Sequence, residues 1–410
     1  MVFCQFSNPI LLSEATPIVN ILLVTETLHT GGAETFVVRL ANALHHRGHQ
    51  VFLFVVHPRL SKGEILDSIH PGITVILFQQ AGRKLKQKAD SLFYRLGIDF
   101  SFLQREVSES LQQLIRERQI AVVHSHLFPA DYYVACLNKA KLPPFRHVST
   151  HHGDYLLFQN QRPYGILHYL RKLQKTVQSL SAMAVISEEQ RAQFNIFRQR
   201  WRPQLMVAKI LNGYEATEGE KLSRANLGIG EDDFVFGMVA RGIPEKGWEL
   251  LIDAFLEIDL PQSRLLLVGE GPEIQRLLQK HSASAAIHFA GYSANTIGYI
   301  RLFDVGVLPS YYKAESLPTV VIEYLYCNKP VIATAAGEIE QMVRDDFGNS
   351  AGILVPLKNG TPDVLQLAEA MRYMAAQKPA FQAYATGAFE KFDMATCVAA
   401  YLTLYKQKPD

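Results

Sequence analysis

Short apolar runs, loops and amphipathic helices alternate along this chain, and near residue 234 the alternation begins again. The runs Ile21–Thr25, Val51–Val55, Thr74–Phe78, Ile120–His124, Arg146–Thr150 and Met183–Ile186 are too short for buried helices and rich in β-branched side chains. They are predicted strands. The first leads through a glycine loop into a helix whose Phe36, Val37, Leu40, Ala41 and Leu44 share one face. A second series comprises Phe234–Ala240, Leu265–Val268, Ile287–Ala290, Val305–Leu308, Val331–Thr334 and Ile353–Val355. Its first member precedes a helix with Trp248, Leu251, Ile252 and Phe255 on one face. Strands separated by helices pair in parallel and need helices on both faces of the sheet. The pattern therefore predicts an α/β fold of two Rossmann-like, doubly wound parallel-sheet domains, with the polar stretch Asn212–Asp233 as the join. Ligands of such sheets bind beyond the carboxyl ends of the strands, so the expected site is the crevice between the halves.

The 410 residues, 48 % of them hydrophobic and 20 % charged, are enough for two separate cores. A net charge of +2 gives no case for a nucleic-acid partner. Cys4, Cys136, Cys327 and Cys397 are scattered, with no CxxC pair, which fits a reducing, cytoplasmic setting. Met1–Pro17 lacks a basic leader region, so no signal peptide is expected. The apolar run Ile18–Val24 is broken by Asn20 and too short to span a bilayer. Any membrane contact is expected to be peripheral, at the inner face.

Two segments carry the chemistry. In Glu315-Ser316-Leu317-Pro318-Thr319-Val320-Val321-Ile322-Glu323, two carboxylates flank the start of a helix, and Pro318 suits its first turn. The free amides there, with the helix dipole, form an anion site suited to a diphosphate. Helical side chains tilt toward the amino end, so Glu323 leans back to where it could accept both hydroxyls of a ribose. Taken alone, the same pattern reads equally as a glutamate favoured by the dipole and a solvated helix residue. The second segment is the loop after Phe234–Ala240, where Arg241 and Lys246 offer a fork and a point charge to a leaving diphosphate. Alone, it also reads as an ordinary surface turn.

Taken in order, Arg241, then Lys246-Gly247, the Gly269-Glu270-Gly271 turn and the Glu-x7-Glu segment resemble the retaining GT-B glycosyltransferases of family 4, the glycosyl transferases group 1. The first half adds Gly31-Gly32-Ala33-Glu34, His152-Gly153 and Ser187, and Asn212-Gly213 falls at the domain junction, so the resemblance covers nearly the whole chain. It implies a GT-B fold: residues 1–213, rejoined by a carboxyl-terminal helix over about 393–410, form the acceptor-side domain, and 214–392 form the donor-binding domain. It further implies transfer of a hexosyl or related group from a UDP- or GDP-sugar to a hydroxyl, with the anomeric configuration kept and no other cofactor. Arg241 and Lys246 would bind the diphosphate, Glu323 the ribose, and the amides around Leu317, Pro318 and Thr319 would assist. Glu315 and His152 would meet the donor sugar at the reacting centre. Tyr292 would present its backbone to the base, and Gly31 and Gly32 would let phosphate and acceptor approach closely. Two positions depart from the family: Tyr324 stands where alanine is common, and Gln341 where a glutamate is usual. These leave fold and phosphate binding as expected, and base and sugar open.

No Asp-x-Asp occurs, so transfer is predicted to be metal-independent, with Arg241, Lys246 and the helix start supplying the positive field. Basic residues mixed with aromatics and leucines at Arg83–Leu96 and Tyr164–Lys175 suit an anionic membrane surface, which points to a glycan or lipid-linked glycan acceptor of polysaccharide, lipopolysaccharide or glycolipid biosynthesis. The same stretches also read as a flexible loop and a packed helix with solvated lysines. Nucleotide-sugar 2-epimerases share the double-Rossmann frame but not the Arg-Lys-Gly plus Glu-x7-Glu pairing. Gly31-Gly32 is no GxGxxG loop, which disfavours a dinucleotide oxidoreductase. A non-catalytic nucleotide-sugar binder would carry the same donor residues.

Overall fold

The computed structural model describes residues 18–406 apart from 30, 62, 81, 97, 99, 153–162, 216–218 and 314, and leaves out the side chains of 64, 83, 94 and 163–168. The leader reading of Met1–Pro17, Gly153, the side chains of Arg83, Tyr94, Tyr164 and Leu167, and the chain from 407 on lie outside the described residues.

The first half forms a parallel sheet of seven strands: β1 Asn20–Thr25, β2 Gln50–Val55, β3 Thr74–Leu77, β4 Val122–His126, β5 Arg146–His151, β6 Ala182–Val185 and β7 Met206–Lys209. The second half forms a parallel sheet of six: β8 Phe234–Val239, β9 Ser263–Val268, β10 Ile287–Gly291, β11 Val305–Leu308, β12 Val331–Thr334 and β13 Gly352–Val355. Strand order is β3-β2-β1-β4-β5-β6-β7 in one and β10-β9-β8-β11-β12-β13 in the other. Each order reverses beside the sheet's own first strand, which opens a crevice at that strand's carboxyl end. A hairpin, β14 Leu357–Lys358 with β15 Thr361–Pro362, follows the second sheet.

Ile21 to Val24 are fully buried, as strands covered on both faces require. Helix Gly32–His46 turns the expected stripe of Phe36, Val37, Leu40, Ala41 and Leu44 inward. Burying each such side chain stabilises the fold by roughly 1.5–3 kcal/mol. Two strand readings need correction. β4 ends at His126 rather than His124, because His124, Ser125 and His126 are polar yet fully buried, a state the apolar-run criterion does not recognise. β7 was not expected, since this half-buried edge strand carries only a weak apolar signal.

The chain crosses between halves at Gly213–Tyr214 and again at Phe392–Asp393, and the crossings touch: the Tyr214 N–H donates to the Phe392 carbonyl at 2.7 Å. A Cβ on Gly213 would stand 2.7 Å from that of Cys397, so only glycine allows this approach. The rest of Asn212–Asp233 is no free linker. Arg224 pairs with Asp304 at 2.8 Å, and Ile229 enters the second core. Beyond the second crossing, helix Met394–Lys406 packs Val398, Tyr401, Leu404 and Tyr405 into the first domain's core with Phe36 and Leu40.

Candidate active site

A cleft of about 680 Å³ opens between the domains, and both crevices drain into it. The loops after β1 and β4 supply Gly31, Gly32, Glu34, Leu127 and Pro129, and those after β8 and β11 supply Arg241, Lys246, Tyr312 and Glu315.

On the second domain's wall, the buried Trp248 indole N–H donates to the Arg241 carbonyl at 2.8 Å and fixes that loop. The Lys246 ammonium lies 2.5 Å from Glu315, which also accepts from the Ser310 hydroxyl at 2.6 Å. Lys246 and Glu315 are each only about a tenth exposed, so this close pairing offsets the desolvation of both charges. The Tyr312 ring lies 5.8 Å from the Arg241 guanidinium and 5.4 Å from the Lys246 ammonium. Helix Thr319–Tyr326 begins at Pro318 with no side-chain cap, leaving first-turn amides at the cleft.

Tyr324 explains one departure from the family pattern. β8 and β11 pair only at Val305 with Phe236 and Gly306 with Gly237. Beyond that point the buried Tyr324 hydroxyl accepts from the Val239 N–H at 3.0 Å and donates to the Val307 carbonyl at 3.3 Å. The phenol thus closes the sheet where its two halves part.

The first domain's wall has another chemistry. Helix Gly32–His46 also starts without a side-chain cap, at Gly31, and meets the other helix start: a Cβ on Gly32 would stand 3.0 Å from the Thr319 hydroxyl oxygen. Glu26 and Glu34 line the cleft beside it. Burial raises both carboxyls above their usual value, and the Glu34 charge adds to the rise of Glu26. Beneath them His152 shares a proton with His126 at 3.0 Å. Burial lowers His152 to about 3, so it faces the cleft as a neutral hydrogen-bonding group. Leu127, the residue before helix Phe128–Ala135, has a φ of 73°, a strained value for a side chain of its size.

The structure thus gathers Gly31, Gly32, His152, Arg241, Lys246, Glu315, Leu317, Pro318 and Thr319 on one cleft. Glu323 falls outside the cleft lining, one turn behind Thr319 and 3.8 Å from Arg39 of the first domain, and burial lifts its carboxyl to about 7 against the pull of Arg39. Tyr292 falls outside the cleft lining, half-exposed after the edge strand β10. Sequence reasoning gave no role to Glu26, Glu34 or Tyr312, though Glu34 stands two residues after the glycine pair. It also missed Glu338, which accepts from the Glu188 N–H and from Lys209, each at 2.7 Å, and so joins the domains at the cleft's far end.

Residues 220–386 match the family model of glycosyl transferases group 1, and residues 30–199 match that of glycosyltransferase family 4. The chain belongs to the group 1, family 4 glycosyltransferases. This glycosyltransferase is 26 % identical over 263 residues to the putative teichuronic acid biosynthesis glycosyltransferase TuaC of Bacillus subtilis, a match spanning 62 % of the chain and 63 % of that protein. It is 25 % identical over 309 residues to the lipopolysaccharide core biosynthesis glycosyltransferase LpsD of Rhizobium meliloti, spanning 75 % and 76 %. Among solved structures, Anabaena HepE in complex with UDP and glucose superimposes with a TM-score of 0.70 at 20 % identity, over 94 % of this chain and 98 % of that one. Sucrose-phosphate synthase from Thermosynechococcus elongatus gives 0.69 at 20 %, over 95 % and 98 %. The fold of this glycosyltransferase is therefore GT-B, two parallel-sheet α/β domains facing across a cleft.

Proposed function

We propose that this glycosyltransferase moves a glycosyl group from a UDP- or GDP-sugar to a hydroxyl of a glycan or lipid-linked glycan, with retention and without a metal. One observation carries the reading: two uncapped helix starts, one from each domain, meet at Gly32 and Thr319 on a cleft that also holds Arg241 and Lys246. Converging amide dipoles and two cations favour a diphosphate there. That HepE was solved with UDP and glucose supports the donor class, and the names of TuaC and LpsD support a glycan acceptor.

In the step itself, the bond from the anomeric carbon to the diphosphate oxygen breaks as the acceptor hydroxyl oxygen bonds to that carbon from the same face. The hydroxyl proton passes to the departing phosphate oxygen. Arg241 and Lys246, with the Leu317 and Thr319 amides, stabilise the charge growing on the diphosphate. A phosphate that engages Lys246 weakens its hold on Glu315, freeing that carboxylate for the sugar. Neutral His152 hydrogen-bonds a sugar hydroxyl from the other wall. Residues 214–392 hold the donor, and 1–213 with the final helix present the acceptor.

Acceptor delivery at an anionic inner-membrane surface fits helix Arg83–Arg95 and the turn after it, where Leu85, Leu92 and Leu96 are exposed beside Lys84 and Lys88. Lys86 is excluded from that face, because it pairs with Glu106 at 2.5 Å. Among the described residues no helix is long and apolar enough to cross a membrane.

Incubation with a panel of UDP- and GDP-sugars and glycan acceptors, in excess EDTA, tests the reading. Release of nucleoside diphosphate with an axial-to-axial or equatorial-to-equatorial product by NMR supports it. An inverted product, or activity that returns only with a divalent ion, contradicts it.

A further inference from the structure

Glu323 does not stand alone behind the cleft wall. The guanidinium of Arg39, on helix Gly32–His46 of the first domain, lies 3.8 Å from its carboxylate and 4.4 Å from the centre of the Tyr214 ring at the domain crossing. Both partners are mostly buried, at 18 % and 13 % side-chain exposure. The contact is thus a charge pair between domains, clamped against the residue where the chain passes from one to the other. Arg39 is absent from the cleft lining and cannot act by touching the reacting atoms from where it stands.

We infer that Arg39 is a positioning residue for Glu323, keeping that carboxylate charged and fixed in place for the nucleotide's ribose, and so coupling donor binding to this contact between the domains. This rests on the proposed function, in which Glu323 takes the ribose. A carboxylate that accepts from both hydroxyls of a diol needs both oxygens free of protons. Burial works against that state, raising the group to about 7, and Arg39 is the charge that opposes the rise. Of the other titratable groups against Glu323, Tyr324 and Cys327 on its own helix are themselves held protonated by burial, Cys327 at about 11. Tyr214 offers its ring to Arg39. Without Arg39 the carboxylate takes up its proton at higher pH, and the ribose loses an acceptor.

Calorimetric affinities for UDP and GDP between pH 6 and 8.5, on the full chain and its R39Q, R39K and E323Q variants, test this without turnover. The ratio of wild-type to E323Q affinity isolates the carboxylate from the nucleotide's own titration. That ratio is expected to be at least several-fold above pH 7.5 and to shrink toward one as pH falls below about 7. In R39Q the fall moves to higher pH, and at pH 7 affinity drops several-fold; R39K restores most of it. Thermal melts that match wild type exclude simple unfolding. An R39Q profile that superimposes on wild type, while E323Q still weakens binding, overturns the inference and leaves the proposed function standing. If wild type binds neither nucleotide, or E323Q binds as well as wild type, the underlying reading of the donor site falls with it.

Discussion

The two domains share a strand order and differ in what they bring to the cleft. The second presents cations and a helix start. The first presents two glutamates with raised carboxyls and the neutral His152, backed by histidines outside the cleft lining: burial lowers His124, His126, His147, His151 and His152, with neighbouring histidines adding to it for the first four and Lys139 and Arg202 as well for His147. In the proposed function one frame serves two recognition tasks: fixed charge would hold an anion, and neutral and acceptor groups that would repel a second phosphate would hold a hydroxyl-rich partner. Two copies of one architecture become complementary through the loops at their strand ends, not through their cores.

The largest effect that would sharpen this contrast is acid sensitivity confined to the first domain. Burial holds His124, His151 and His152 at about 3 when folded, against 6.5 when exposed. Unfolding therefore takes up protons below pH 6.5, and stability present above that value is lost as pH falls toward 3. Each histidine contributes on the order of 1.4 kcal/mol to the loss by one unit below its exposed value. Hydrogen exchange at pH 5.5 is expected to show β4, β5 and β6 opening before β8, β11 and β12. Simultaneous opening would break the comparison.

Arg241→Ala comes next. It removes the cation that makes no ion pair among the described residues, and should lower kcat/KM by about 10²–10³-fold, with UDP or GDP affinity falling alongside. Glu315→Ala should reduce turnover far more than donor affinity, since it acts on the sugar and leaves Lys246 free for phosphate. Equal losses would argue that Glu315 serves only to hold Lys246. Tyr324→Phe keeps the ring but leaves the Val239 N–H without its partner, and should lower stability by about 1–3 kcal/mol in a denaturant titration. Smallest is the pair Lys84→Glu and Lys88→Glu, which should weaken binding to anionic vesicles by roughly 1 kcal/mol per charge and leave transfer to a soluble acceptor intact.

Much of this was legible in the chain. Alternating strand and helix signals located the two sheets, and the segment that starts at Glu315, with Arg241 and Lys246, located the second domain's wall of the cleft, because each motif is local. What escaped is what distant residues make together. Arg39 meets Glu323, Glu338 caps the helix that begins at Glu188, and His126 holds His152, each through the fold and none through spacing. The end of β4 escaped for a related reason: its polar residues at the carboxyl end of a central strand read as a loop, although they are buried and hydrogen-bonded. Tyr324 looked like a departure in the donor site and proves to be a sheet fastener, a role visible only once β8 and β11 are seen to part.

A crystal structure with an unreactive UDP- or GDP-sugar analogue tests the central claim most directly. The account predicts both phosphates at the meeting of the two helix starts, within hydrogen-bond reach of Arg241 and of the Leu317 and Thr319 amides, with the sugar toward His152. Phosphates bound elsewhere, or bridged to the chain through a metal ion and away from Arg241, would contradict it.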